Sequence, residues 1–168
     1  MKFEGNLDCP CLYKSIQKVF DHNGILKSRI VDCGGVVKLI VDCCDVKIEY
    51  IENTTADISD YVAVENISLK SDTLYKIKLI KVKNDFHILY FSFHHIIIDG
   101  DSIKLFCDSL RKAYNEELNI IKRIGKKPQL TQNKSLSYID YVFYQDIFRK
   151  SSFYRQQKKY FQEQFIDQ

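Results

Sequence analysis

The sequence has little proline and glycine and no long apolar segment. It contains 2 Pro and 6 Gly among 168 residues, fewer than a linker or a disordered chain would carry. No stretch approaches the ~20 apolar residues that a membrane-spanning helix needs. Residues 1–11 lack the basic start and apolar run of a secretory signal peptide. These absences favour a globular chain, which we expect in the cytoplasm.

The sequence also lacks the usual signatures of metal, nucleotide and nucleic-acid binding. Its 6 Cys form no Cys-x-x-Cys pair, and the 4 His are not spaced with them as zinc ligands would be. No Gly-rich phosphate loop appears. The net charge is only +3 and the lysines are scattered, so nothing resembles a basic stripe for nucleic acid. We therefore expect no metal and no bound cofactor, and neither a nucleic acid nor a membrane as partner.

The composition is sufficient for one folded domain. Hydrophobic residues make up 45% of the chain and charged residues 28%, which is the balance of a globular protein. A chain of this length can bury a core without a disulfide or a metal. We expect a single domain over residues 1–168.

The spacing of apolar residues predicts a mixed α/β fold. Helical spacing predicts helices after Asp8, after Asp101 as the N-cap, and over 138–148 and 153–165, with a weaker one over 55–67. Gly24 is the expected end of the first helix. Strands are predicted over 2–5, 28–33, 36–43, 46–51, 74–82 and 86–93. Because glycine or Asn-Asp turns join neighbouring strands, we expect an α+β two-layer sandwich whose mixed sheet is largely antiparallel and flanked by helices.

The segment most informative about chemistry spans residues 91–101. It reads Phe-Ser-Phe-His-His-Ile-Ile-Ile-Asp-Gly-Asp, so His94 and His95 end a predicted buried strand, and Asp99 and Gly100 precede a helix. Imidazole is the side chain best suited to proton transfer near neutral pH. For His94, a structural role is as plausible as a functional one. The whole string in its strand–loop–helix context favours a functional His95.

This string resembles the His-His-x-x-x-Asp-Gly signature of nonribosomal peptide synthetase condensation domains, which have the chloramphenicol acetyltransferase-like fold. Other regions look like family blocks in the same order, namely 7–8, 25–30, 69–82, 136–145 and 160–161. The resemblance covers the N-terminal lobe only, without its opening helix and without the second lobe, which in the family covers the active site. Thr73, Lys76 and Tyr144 stand where the family usually has Pro, Arg and Trp.

The resemblance implies an acyltransferase that forms amides. An amine would attack a thioester held on the phosphopantetheine arm of a carrier protein, so carrier proteins are the implied partners. His95 corresponds to the catalytic histidine, acting as a base or as a positioning group. Asp99 is implied to pair with Arg29 and hold the loop, and His94 and Gly100 are implied to support it.

The missing lobe limits what this chain can do alone. We expect it to fold but to be inactive unless a second condensation lobe or self-association completes the site. Two alternatives remain open on the sequence. The chain could be a non-catalytic remnant that binds a carrier protein, or a CoA-dependent acyltransferase of the same fold.

Overall fold

A computed structural model describes residues 1–41, 45–52, 66–122 and 136–165. The chain divides into two compact units, Met1–Thr131 and Gln132–Gln168. Within the described ranges the first unit contains the helices α1 (Cys9–His22) and α2 (Gly100–Lys122) and six strands. These strands are β1 (Lys2–Glu4), β2 (Ser28–Asp32), β3 (Val37–Val41), β4 (Glu49–Glu52), β5 (Tyr75–Lys83) and β6 (Phe86–Phe93). Most of the helix predicted over 55–67 lies outside the described residues.

The main sheet has the strand order β1-β6-β5-β4. β1 and β5 run antiparallel to β6, whereas β4 runs parallel to β5. The turn at Asn84 and Asp85 joins β5 to β6, as the sequence predicts. The mixed, largely antiparallel sheet is therefore confirmed.

Helix α1 begins and buries its apolar stripe as the sequence predicts. The Asp8 carboxylate accepts the N–H of Cys11 at 2.9 Å, and Pro10 stands in the first turn, where its missing N–H costs nothing. The buried stripe consists of Leu12, Ile16, Val19 and Phe20. This stripe belongs to a core that includes Leu79 of β5 and Leu89 of β6.

The end of α1 differs from the prediction. The helix ends at Asn23, whose backbone N–H reaches the carbonyls of Val19 and Phe20. Gly24 does not have a positive φ, and it begins a short 3-10 helix, Gly24–Lys27. The asparagine therefore ends the helix without the left-handed glycine.

Aromatic rings join the two helices to the sheet. The Phe20 ring lies 4.8 Å from Tyr75 and 6.0 Å from Phe106, both edge to face. Phe106 also meets Phe91 at 4.9 Å and Phe93 at 5.4 Å. Such pairs add about 0.5–1.5 kcal/mol beyond the burial of their area. The helices thus pack against β6, the strand that leads to the histidine motif.

Helix α2 buries a narrower stripe than the sequence predicts. Phe106, Leu110 and Ala113 are buried, but Ile103, which the helical period places on the same stripe, is 47% exposed. Helical periodicity predicts which face of a helix is apolar, but it does not reveal which turns of that face are covered.

The second unit contains the two remaining helices, α3 (Tyr138–Lys150) and α4 (Ser152–Gln164). Ser137 and Asp140 form a capping box, in which each side chain accepts the other residue's backbone N–H. These helices confirm the elements predicted over 138–148 and 153–165.

No helix in the described ranges is both long enough and apolar enough to cross a bilayer.

Candidate active site

The two histidines follow directly on the end of β6. The strand stops at Phe93, and the backbone N–H of His94 donates to the carbonyl of Leu74 at 2.8 Å. The N–H of Ile97 then donates to the carbonyl of His94 at 3.1 Å and closes a turn. His95 is therefore a turn residue, and the alternation of β6 does not determine the direction of its exposed side chain.

His94 is half-buried, and its ring supports the turn. The backbone N–H of Ile96 donates to His94 Nδ1 at 3.1 Å. A nitrogen that accepts a hydrogen bond carries no proton, so this contact assigns the proton of the neutral ring to Nε2. The geometry thus gives His94 a structural contact that agrees with loop support.

The turn is anchored by two apolar side chains. Ile97 and Ile98 are buried in the core cluster, although His95 before them and Asp99 after them are exposed. In the motif string, Ile97 and Ile98 are only spacer positions. The burial of Ile97 and Ile98 could have been predicted, because an uninterrupted apolar triplet between polar residues favours burial.

Asp99 caps α2 in place of the predicted Asp101. Its carboxylate accepts the backbone N–H of Ser102 at 2.8 Å, and its carbonyl accepts the N–H of Ile103 at 3.1 Å. Hydrogen bonds from Ser102 hold the pKa of Asp99 below its usual value, and the neighbouring His95 adds to that lowering. A carboxylate at a helix N-terminus is also favoured by the helix dipole.

Arg29 and Asp99 do not form an ion pair. The ion pairs found among the described residues do not include this pair. Arg29 is half-buried on β2, opposite Ile40 of the separate two-stranded sheet. The structure therefore lacks the expected ion pair, because the Asp99 carboxylate is held at the start of α2 by the backbone of its own loop.

Gly100 is the first residue of α2 and has space around it. It does not have a positive φ, so no left-handed reversal explains the glycine. A Cβ atom added there would meet nothing within 4 Å. The space beside Gly100 is therefore open.

Exposed apolar side chains occur in the motif turn and near the start of α2. The exposed residues are Ile96 in the turn, Ile103 in the first turn of α2, and Leu105 two residues later. Leu105 is 67% exposed. Within the described ranges, no group of three or more His, Cys, Asp or Glu residues could hold a metal ion. The described part of the site thus offers one exposed imidazole, with the exposed Ile96 next to it in the chain.

Comparison with known sequences agrees with the motif. Residues 1–168 match the family model for the condensation domain. Tyrocidine synthase 2 from Brevibacillus parabrevis is 27% identical over 161 residues, which cover 94% of this chain and 4% of that protein. Surfactin synthase subunit 1 from Bacillus subtilis (strain 168) is 26% identical over 163 residues, or 95% of this chain and 4% of that protein. The chain therefore spans only a small part of these relatives.

Comparison with solved structures shows the same fold. The starter condensation domain of rhizomide synthetase RzmA aligns with a TM-score of 0.78 and 16% identity, covering 97% of this chain and 40% of that one. VibH, a condensation enzyme, aligns with a TM-score of 0.70 and 18% identity, covering 99% of this chain and 39% of that one. The chain thus has the chloramphenicol acetyltransferase-like fold over less than half the length of these neighbours.

Proposed function

We propose, because this chain belongs to the condensation domain family, that it supplies the motif-bearing lobe of an amide-forming site in nonribosomal peptide biosynthesis. The observation that carries the proposal is the placement of His95. It stands exposed after β6, on a turn that backbone hydrogen bonds and the buried Ile97 and Ile98 hold in place. In this proposal both compact units, residues 1–168, form the N-terminal lobe of one cytoplasmic condensation domain.

The chemistry assigned to His95 is proton handling at the attacking amine. The amine nitrogen attacks the thioester carbonyl, the carbon–sulfur bond breaks, and the thiol leaves as the amide forms. An imidazole at the end of a rigid strand can accept the amine proton or orient the amine for attack. His94, Asp99 and Gly100 act in this scheme through the loop. Arg29 remains a candidate for loop support without an ion pair to Asp99.

The substrates in this proposal arrive on phosphopantetheine arms of carrier proteins. No cofactor then needs to stay bound, since each arm brings its own thioester or amine. The net charge of +3 suits an acidic partner weakly, through long-range attraction.

A second lobe is required by the exposure of the site. Aminolysis needs two substrates held in register and water kept from the thioester, but His95 is exposed on this chain. Ile96, next to His95, and Ile103, in the first turn of α2, are exposed apolar residues, and exposed apolar patches mark interfaces. We propose that a second condensation lobe covers them.

The test is a reconstitution that varies the partner and the acyl carrier. The chain is assayed alone and with a separately expressed second-lobe protein, using donor and acceptor loaded on carrier proteins or the donor as free acyl-CoA. We expect amide only with the second lobe and with carrier-bound substrates. Rapid turnover by a verified monomer would contradict the need for a partner, and turnover with free acyl-CoA would favour a CoA-dependent acyltransferase.

A further inference from the structure

The β2–β3 hairpin presents an apolar strand at the edge of a two-stranded sheet. In the described part of the chain, β3 has a neighbouring strand only on its β2 side. All five of its residues are exposed, including Val37 at 69% and Leu39 at 45%. One of the five, Lys38, is charged. By contrast, the first four residues of β2 are buried or half-buried.

The hairpin turn determines which backbone groups reach this edge. Gly34 and Gly35 both have positive φ, 67° and 86°, as a two-residue hairpin loop requires. The N–H of Cys33 donates to the carbonyl of Val36 at 2.9 Å, so these residues form a hydrogen-bonded pair that closes the turn. Pairs alternate along an antiparallel ladder between bonded and non-bonded.

Because of that alternation, every second residue of β3 has its backbone N–H and C=O groups directed away from β2. The pairs Asp32–Val37, Ile30–Leu39 and Ser28–Val41 fall on the non-bonded positions, which turn their N–H and C=O groups away from the partner strand. Val37, Leu39 and Val41 therefore present backbone donors and acceptors at the free edge. Edges of this kind template pairing with another chain unless charges, proline or a bulge protect them.

We infer that the β3 edge is a self-association surface, on which a second copy of this chain pairs its own β3 in antiparallel orientation about Leu39. A two-fold interface makes each residue meet its symmetry-related counterpart. In this register Leu39 faces Leu39 of the second copy, and Val37 faces Val41. The outward groups of one strand then meet those of the other, with about six new hydrogen bonds for the three outward residues on each strand.

The charge pattern is compatible with this register and disfavours two other pairings of the same edge. Lys38 lies opposite Ile40 of the second copy, so the two ammonium groups occupy diagonal positions. Parallel in-register pairing, or antiparallel pairing about Lys38, would place the two lysines side by side, and like charges directly opposite are destabilising. The result is a four-stranded sheet, β2-β3-β3-β2, shared by two chains. This inference is independent of the proposed acyl transfer, since it uses none of the motif residues.

A charge-exchange experiment on the full chain tests the inference. Sedimentation equilibrium of the unaltered chain should give a mass near twice 19.8 kDa at high concentration and the single-chain mass on dilution. Leu39→Lys and Leu39→Glu each place like charges opposite one another, and each should raise the dimer dissociation constant at least tenfold. An equimolar mixture of the two variants should restore the dimer, because Lys then faces Glu.

Two controls separate the edge from other surfaces. Leu105→Lys, an equally drastic change at an exposed site on α2, should leave the dimer unchanged. Backbone amide exchange should show Val37, Leu39 and Val41 protected only at high concentration, whereas far-ultraviolet circular dichroism should show all variants folded. A monomeric unaltered chain, dimers of both Leu39 variants as strong as the unaltered chain, or a mixture that stays monomeric would each overturn the inference.

Discussion

Asp99 connects the motif loop to the first turn of α2 through its carboxylate and its carbonyl. Both contacts are to backbone N–H groups that the helix leaves free at its start. The side chain thus supports the loop by capping, without a distant cation. This gives the residue a role that a substitution can test apart from catalysis.

We expect Asp99→Ala to lower the thermal midpoint at neutral pH, because the Ser102 N–H loses its acceptor. Asp99→Asn should keep most of the midpoint, since an amide oxygen also caps. The pKa of Asp99 is lower in the folded chain, so its charge stabilises fully above the unfolded value of about 3.9. That advantage disappears as the pH falls through the lower folded pKa. Thermal scans of the wild type and Asp99→Asn across this range should therefore converge at acid pH; equal midpoints for Asp99→Ala and wild type at neutral pH would contradict the capping role.

Gly100→Ala should leave the fold intact or stabilise it by about 0.4–1 kcal/mol, because the added methyl meets no atom and φ is ordinary. Gly34→Ala is the matched control, since a side chain at its positive φ costs roughly 1–2 kcal/mol. Urea unfolding measures both. If Gly100→Ala were as destabilising as Gly34→Ala, the space beside the motif would not be open. A loss of amide formation without a loss of stability would instead show that substrate uses that space.

The sequence predicted the strand–loop–helix context of His95 but not the contacts around it. The motif string fixes which residue types follow one another, and its strand–loop–helix context is confirmed. The partner of Asp99 depends on three-dimensional placement, which the sequence does not give. The resemblance suggested Arg29, but Arg29 lies on β2, in a different sheet from the motif strand β6. Asp99 could have been predicted as the cap instead of Asp101, because both are acidic residues near the start of the helix.

At the scale of elements, Phe20 is one residue through which α1 contacts both the sheet and α2. Its ring is fully buried and touches Tyr75, Phe93 and Phe106. Removing it would leave a cavity that three aromatic rings cannot easily fill. The stability of the motif strand β6 therefore depends on this helix.

Phe20→Ala should destabilise the chain by about 3–5 kcal/mol, the usual cost of a buried Phe truncation. Leu105→Ala, at an exposed site on α2, should change stability by less than about 0.5 kcal/mol. The free energy of unfolding from urea titration compares the two. A small effect of Phe20→Ala would mean that α1 contributes little to the core.

Elements with a strong local signal were predicted well, and their ends less well. The turns at Gly34-Gly35 and Asn84-Asp85 lie where turn residues are abundant, so both hairpins were predicted correctly. Gly24 misled the prediction of a helix end because Asn23 already supplies the terminal hydrogen bonds. Ile103 was expected in the core because periodicity reports the face of a helix and not the extent of the layer that covers it.

At the scale of the whole molecule, the motif residue His95 is exposed on the part of the chain that the structure describes. The chain aligns with 39% of the VibH chain, and Ile96 beside His95 and Ile103 in the first turn of α2 are exposed. The sequence of one chain does not identify the partner of such residues, because the complementary residues are on another polypeptide or another lobe. The proposed dependence on a second lobe is therefore the part that most needs experiment.

The most direct measurement is the rate of amide formation in the reconstituted system with single histidine variants. A positioned proton acceptor contributes about 10²–10⁴-fold, so His95→Ala should reduce the rate by at least ~100-fold. His94→Ala should act mainly through lower stability, since its ring bonds the turn. His22→Ala, an exposed histidine on α1, serves as the matched control and should keep the full rate. Equal rates for His95→Ala and His22→Ala, with both proteins folded, would contradict the account.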